Sequence, residues 1–234
     1  MGGRLFEDDG IMNDEPTVFL VDADRRTRDA VRDLLDTMNL PHEEYTSGQA
    51  FLDAYDPSRA GCVVLEVRIP DVNGLEIQDR LAARGASIPL VFLSAEAPVS
   101  IAVRAMRGGA VHFVEKPFRA HELWDAIREA TLLDAKRRRA AAEREALDRR
   151  LADLAPEERR VLELIAAGKS KQAMAAEAGV SIRTIEVRRS RLMSKLALTS
   201  PVELVVFALT ACNGHCGSFR GMEGVGPILR RPPT

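Results

Sequence analysis

Four short apolar runs, Val18 to Val21, Cys62 to Leu65, Leu90 to Leu93 and Val111 to Val114, are separated by stretches of helical periodicity, and this alternation constrains the fold more than any other feature of the chain. Runs of this length without a polar face read as buried strands, and a strand-then-helix order repeated along the chain requires a parallel sheet with helices on both faces. A weaker strand around Glu43 to Thr46 completes the set. The expected fold is α/β, a doubly wound five-stranded parallel sheet over residues 16–130. Sheets of this kind place their ligand site at the C-terminal ends of the strands. The residues there are Asp22, Glu66, Ser94 and Lys116, so two acids, a hydroxyl and an ammonium should meet.

The 234 residues are 46% hydrophobic and 29% charged, which describes a soluble globular chain long enough for two domains. A formal net charge of -2 conceals an asymmetry. Residues 16–130 carry 18 acids and 13 bases, whereas residues 131–210 carry 11 acids and 16 bases. An acidic module followed by a basic one is the electrostatic footprint of a regulatory domain tied to a nucleic-acid binder. The start of the chain, rich in acids through Thr17, lacks the apolar core of a secretory signal, and no later run approaches a membrane span. A cytoplasmic protein with no membrane partner is expected. Phe6 stands where an N-myristoylation motif requires Ser or Thr. Cys62 falls in an apolar strand, and Cys212 and Cys216 bracket His215 without a fourth ligand, so no metal is assigned.

After the last strand, His121 to Leu154 contains no Gly or Pro and reads as one helix leaving the first domain, with Glu145 and Arg149 spaced as an i,i+4 ion pair. Leu133, Ala140, Leu147 and Leu154 recur every seven residues, but Arg137 and Arg144 occupy the complementary seam, so a solvated helix is expected over a coiled coil. Residues 131–150 are taken as a helical linker. Pro156 then opens a smaller all-α domain over residues 151–210, and residues 1–15 and 211–234 are expected to be disordered.

The stretch from Gly61 to Glu76, with Asp22 after the first strand, Ser94 after the fourth and Lys116-Pro117 after the fifth, resembles the receiver domain of two-component response regulators. The runs Val99 to Ala110 and Phe113 to Phe118 resemble the FixJ branch. The resemblance implies a flavodoxin-like fold in which a third-strand aspartate accepts a phosphoryl group from a histidine kinase. Mg²⁺ held by an acidic pair would neutralise the phosphate, Ser94 and Lys116 would bind it, and Phe113 matches the aromatic that reorients on activation. This sequence departs from the pattern twice. Ala23 stands where the second acid of the pair is expected, and Glu66 stands where the phosphoacceptor aspartate is expected. The extra methylene moves the carboxylate by about 1.5 Å, in a reaction where an error of about 1 Å can cost on the order of a hundredfold. Mg²⁺ tolerates the loss of a carboxylate poorly. Weak or absent Mg²⁺ binding is therefore expected, together with an ion pair between Glu66 and Lys116.

Residues 151–209 resemble the LuxR-type helix-turn-helix domain. Ser181 caps a helix on which Ile185, Leu192, Met193 and Leu196 share one face, and the rest of its surface is polar and basic. Such a helix lies in the major groove of double-stranded DNA. The expected base-edge contacts are Glu186, Val187, Arg188 and Ser190, with Lys169, Lys171, Arg189, Arg191 and Lys195 near phosphates, and Ser181, Arg183 and Thr184 complete the expected DNA-binding set. Arg188 replaces a common His, Lys171-Gln172 replaces Asn-Lys, and Ala155 replaces a Thr cap, which bears on base preference.

Together these features describe a FixJ-like transcription regulator, not an enzyme, with an atypical receiver that works without phosphorylation. The resemblance implies a homodimer paired through Val99, Ala102, Val103 and Met106, with a second contact along Val202 to Leu209. A histidine kinase or another signalling protein is the implied partner. Two alternatives are open at this point. The receiver could be gated by a protein or small ligand, or Phe19 to Thr27 could be the nucleophile loop of a haloacid-dehalogenase-like phosphatase, with Asp22 as nucleophile and Asp24 as acid/base.

Overall fold

A computed structural model describes residues 15–95 and 98–214, and the chain divides into two compact units after Ala140. The expectations for residues 1–14 and 215–234, including those for His215 and Cys216, lie outside the described residues.

The first unit is built in the order β1 (Thr17–Val21), α1 (Arg25–Thr37), β2 (His42–Tyr45), α2 (Gly48–Ala54), β3 (Gly61–Leu65), α3 (Gly74–Ala83), β4 (Leu90–Ser94), α4 (Val99–Arg107), β5 (His112–Glu115) and α5 (Ala120–Ala152). Its five strands form one parallel sheet in the order β2-β1-β3-β4-β5. Side chains alternate between the two faces of each strand. Phe19, Val21, Val63, Leu65 and Phe92 pack with Phe51, Ile77 and Leu81 in one core, while Val18, Leu20, Cys62, Val64, Val91 and Val114 pack with Val31, Leu35, Leu123 and Ile127 in the other. The doubly wound arrangement follows, because α2, α3 and α4 cover one face and α1 and α5 the other. The last strand lies one residue later than the apolar run Val111 to Val114, since Ser94 pairs with Glu115.

Helix α5 is continuous across the residues expected to form a connector. Its buried Leu123, Ile127, Ala130 and Asp134 belong to the first unit, whereas Leu147 and Leu151 pack in the core of the second. Residues 131–150 are thus shared between the units. Leu147 and Leu154 serve that core, which accounts for their seven-residue spacing without a coiled coil. The second unit continues with α6 (Pro156–Ala166), α7 (Lys171–Ala178), α8 (Ile182–Lys195) and α9 (Pro201–Gly214). Its core joins Val161, Leu162, Met174, Ile185, Leu192, Leu204 and Ala208. Helix α9 runs past the boundary expected at residue 210, because buried Ala211 continues the apolar face of Leu204, Phe207 and Ala208. Among the described residues, no helix is long and apolar enough to cross a membrane.

Candidate functional site

Asp22, Glu66 and Lys116 follow β1, β3 and β5, and Ser94 closes β4, so the parallel register delivers all four to one edge of the sheet. The backbone continues that register: Glu66 N–H donates to the Val21 carbonyl at 2.9 Å and Lys116 N–H to the Ser94 carbonyl at 2.8 Å. Lys116 Nζ then donates to Asp22 Oδ2 and to Glu66 Oε2, each at 2.6 Å. Glu66 Oε1 accepts from the Ser94 hydroxyl at 2.6 Å, from the Val67 amide at 2.6 Å and from the Arg68 amide at 3.2 Å. Every group that the receiver resemblance assigns to phosphate binding is already turned toward the Glu66 carboxylate.

Two carboxylates share one ammonium here. The side chains of Asp22, Glu66 and Lys116 are 2%, 9% and 13% exposed, so the charges interact with little screening. Burial pushes the Asp22 carboxyl above the usual aspartate range and outweighs the opposing pull of Lys116 and the Asp24 amide. Burial alone would lower the Lys116 ammonium, but the hydrogen bonds to Asp22 and Glu66 together hold it above its ordinary value. Arg28 Nη1 adds a hydrogen bond to the Asp22 carbonyl at 2.8 Å. That contact has no sequence signature, because its acceptor is backbone.

The resemblance also implies Mg²⁺, a hard cation that needs a nearly octahedral set of oxygens. The residues present do not fit it. Ala23 offers no side-chain oxygen, and the Lys116 ammonium already bridges Asp22 and Glu66. Asp24 is the N-cap of α1, with Oδ1 accepting from the Arg26 amide at 3.1 Å and Oδ2 from the Thr27 hydroxyl at 2.9 Å. Phe113 is half-buried and stacks on Phe92 with ring centroids 6.0 Å apart, so it sits against the sheet's core.

In the second unit, the Gly179 cap in left-handed conformation (φ 64°) turns the chain from α7 into α8, and Ser181 caps α8 by accepting from the Thr184 amide at 3.1 Å. Ile185, Leu192 and Leu196 anchor α8 in the core, with Met193 half-buried beside them. Arg183, Glu186, Val187, Ser190 and Arg191 are exposed, whereas Thr184, Arg188 and Arg189 are half-buried. The three lysines expected at phosphates have partners within the unit. Lys195 Nζ lies 2.7 Å from Glu158, Lys171 Nζ 2.8 Å from Glu186 and Lys169 Nζ 3.5 Å from Glu177. Glu158 also accepts from the Ala155 amide at 2.9 Å, so Lys195 steadies the start of α6, where Ala155 cannot cap.

A family model described as the response regulator receiver domain matches residues 18–128, and one described as bacterial regulatory proteins, luxR family, matches residues 152–208. The transcriptional regulatory protein TdiR of Thauera aromatica is 36% identical over 200 residues, covering 86% of this chain and 88% of TdiR. The transcriptional regulatory protein FixJ of Azorhizobium caulinodans is 37% identical over 194 residues, covering 83% of this chain and 92% of FixJ. This chain is a FixJ-type response regulator. The solved structure of the response regulator StyR superposes with a TM-score of 0.76 at 35% identity, over 84% of this chain and 99% of StyR. Full-length FixJ from B. japonicum does so with a TM-score of 0.53 at 36% identity, over 84% of this chain and 97% of that one.

A FixJ-type response regulator with a luxR-family domain is a DNA-binding regulator of transcription. Its relatives are regulators, and Asp24, which a phosphatase would need as acid/base, is here a helix cap. Of the residues expected to pair two copies, Val99, Val103 and Met106 are exposed on α4, and Ala102 is half-buried. Val202, Val205, Val206 and Leu209 are exposed on α9. Sequence reasoning missed Asp134, whose side chain is 1% exposed on α5 and accepts from the Gly61 amide at 2.9 Å and from Arg138 Nε at 2.7 Å. An Asp four residues before an Arg was its only signal.

Proposed function

We propose that this regulator acts in the cytoplasm as a homodimer on double-stranded DNA, with a receiver whose output is set by the fixed carboxylate of Glu66 and not by phosphorylation or Mg²⁺. One observation carries this reading: Glu66 holds the Ser94 hydroxyl, the Val67 amide and the Lys116 ammonium in a nearly closed pocket. Ser94 and Lys116 are the donors that the receiver resemblance assigns to an acyl phosphate. A carboxylate offers two oxygens and one charge where a phosphoryl group offers three oxygens and more charge, so mimicry is partial and the dimer population intermediate. Exposed Val99, Val103 and Met106 supply an apolar face for pairing. A signalling protein that binds the receiver would act through that equilibrium.

The test is dimer mass and DNA affinity for the parent and two variants. Glu66→Gln keeps the shape of the side chain but removes its charge, and should lower the dimer fraction and weaken DNA binding. The double change Ala23→Asp with Glu66→Asp should restore phosphate acceptance and lower the basal dimer fraction. A Glu66→Gln protein that dimerises and binds DNA like the parent would contradict the proposal.

A further inference from the structure

Glu186 is the single acid on α8, a helix that also carries Arg183, Arg188, Arg189 and Arg191. An unneutralised carboxylate on a DNA-facing helix is repelled by phosphates, so its presence there needs an explanation. The neighbouring helix supplies one. Lys171, the first residue of α7, donates from Nζ to Glu186 Oε1 at 2.8 Å, and the two side chains are 48% and 52% exposed. The pair therefore lies on the surface and is not part of the core. The hydrogen bond from Lys171, aided by the nearby charges of Arg183 and Arg189, holds the Glu186 carboxyl below the ordinary glutamate range. It stays ionised, and an ionised carboxylate only accepts hydrogen bonds. In the major groove the matching donor is the N4 amine of cytosine.

We propose that Glu186 reads a cytosine, and that Lys171 is the positioning residue that neutralises and orients its carboxylate for that contact. Lys171 thus acts on base preference through Glu186 and not as a phosphate contact. The inference rests on DNA binding by the second unit and adds the class of base recognised and the residue that tunes the recognition. The geometry is local: one ammonium spans from the start of α7 to the second turn of α8 and holds one oxygen of the Glu186 carboxylate.

The experiment is selection from a randomised duplex library with the full-length parent, Glu186→Gln, Lys171→Met and the double variant, together with the salt dependence of affinity for the selected site. The parent should enrich cytosine at one position, and Glu186→Gln should shift that position toward adenine, the base a glutamine amide matches. Lys171→Met should weaken the cytosine preference there by about two- to fivefold, the range an exposed ion pair can supply. It should have no such effect in the Glu186→Gln background, and the salt slope should be unchanged. A Lys171→Met protein with intact base preferences and a salt slope reduced by about one contact would overturn the proposal in favour of a phosphate contact. So would a parent whose base preferences are indifferent to Glu186→Gln. A parent that binds no duplex DNA would instead overturn the reading on which the proposal rests.

Discussion

At the scale of single residues, the strand-end pocket sets two negative charges against one positive charge, and this imbalance predicts unequal responses to substitution. Lys116→Met would leave Asp22 and Glu66 facing each other in a site almost closed to water. Breaking a buried ion pair from one side costs about 3–5 kcal/mol, and denaturant unfolding of the first unit should show that loss. Glu66→Gln removes the surplus charge and keeps an oxygen acceptor for Ser94, but its amide NH2 then faces the Lys116 ammonium, so its cost should be about 1–3 kcal/mol, below that of Lys116→Met. Equal losses for the two variants would show that the ammonium is not shared as described. Much of this pocket was legible in the sequence, because Glu66 and Lys116 follow apolar runs whose parallel order fixes where their ends meet. The amides of Val67 and Arg68 were not, since a backbone donor carries no residue signature.

At the scale of elements, two contacts invisible in the sequence hold loops to helices. Asp71 accepts from the Ser47 hydroxyl at 2.7 Å and from the Gln49 and Gly48 amides at 2.8 and 3.1 Å, so it caps α2 from a distant loop. The Gln49 amide foremost, with the Ser47 hydroxyl, holds this carboxyl far below the ordinary aspartate value of 3.8. A depressed folded-state value means that the unfolded chain binds the proton more readily, so the contribution is complete above pH 3.8 and fades as pH falls toward the folded-state value. Acid titration of stability should therefore show a loss below that pH which Asp71→Asn reduces. The second contact is Arg138, which donates to Asp134 at 2.7 Å, to the Ser58 carbonyl at 2.8 Å and also to the carbonyls of Pro57 and Arg59. Arg138→Met should destabilise the first unit by about 1–3 kcal/mol, because Asp134 would be left buried with fewer donors. Thermal unfolding of the two proteins measures it, and an unchanged midpoint would mean that Asp134 does not depend on Arg138. The polar composition around Asp134 reads as a solvated helix, which is why burial there could not be seen. Strand β2 was faint for a related reason, since His42-Glu-Glu-Tyr45 lies at the sheet edge and needs no apolar run.

At the scale of the whole molecule, the charge asymmetry of the sequence maps onto two units with separate cores, one carrying the strand-end pocket and the other the α7–α8 pair. The order of these modules was legible because each has its own periodicity. The sharing of α5 between them was not, since a continuous helix carries no mark of where one core ends and the next begins. The account makes Glu66 a permanent occupant of the receiver pocket, so the molecule should be indifferent to a phosphodonor. The most direct measurement is DNA affinity, with intact protein mass, before and after incubation of the unmodified chain with acetyl phosphate and Mg²⁺. The account predicts no phosphoryl adduct and the same affinity in both states. A stoichiometric adduct accompanied by tighter DNA binding would contradict it.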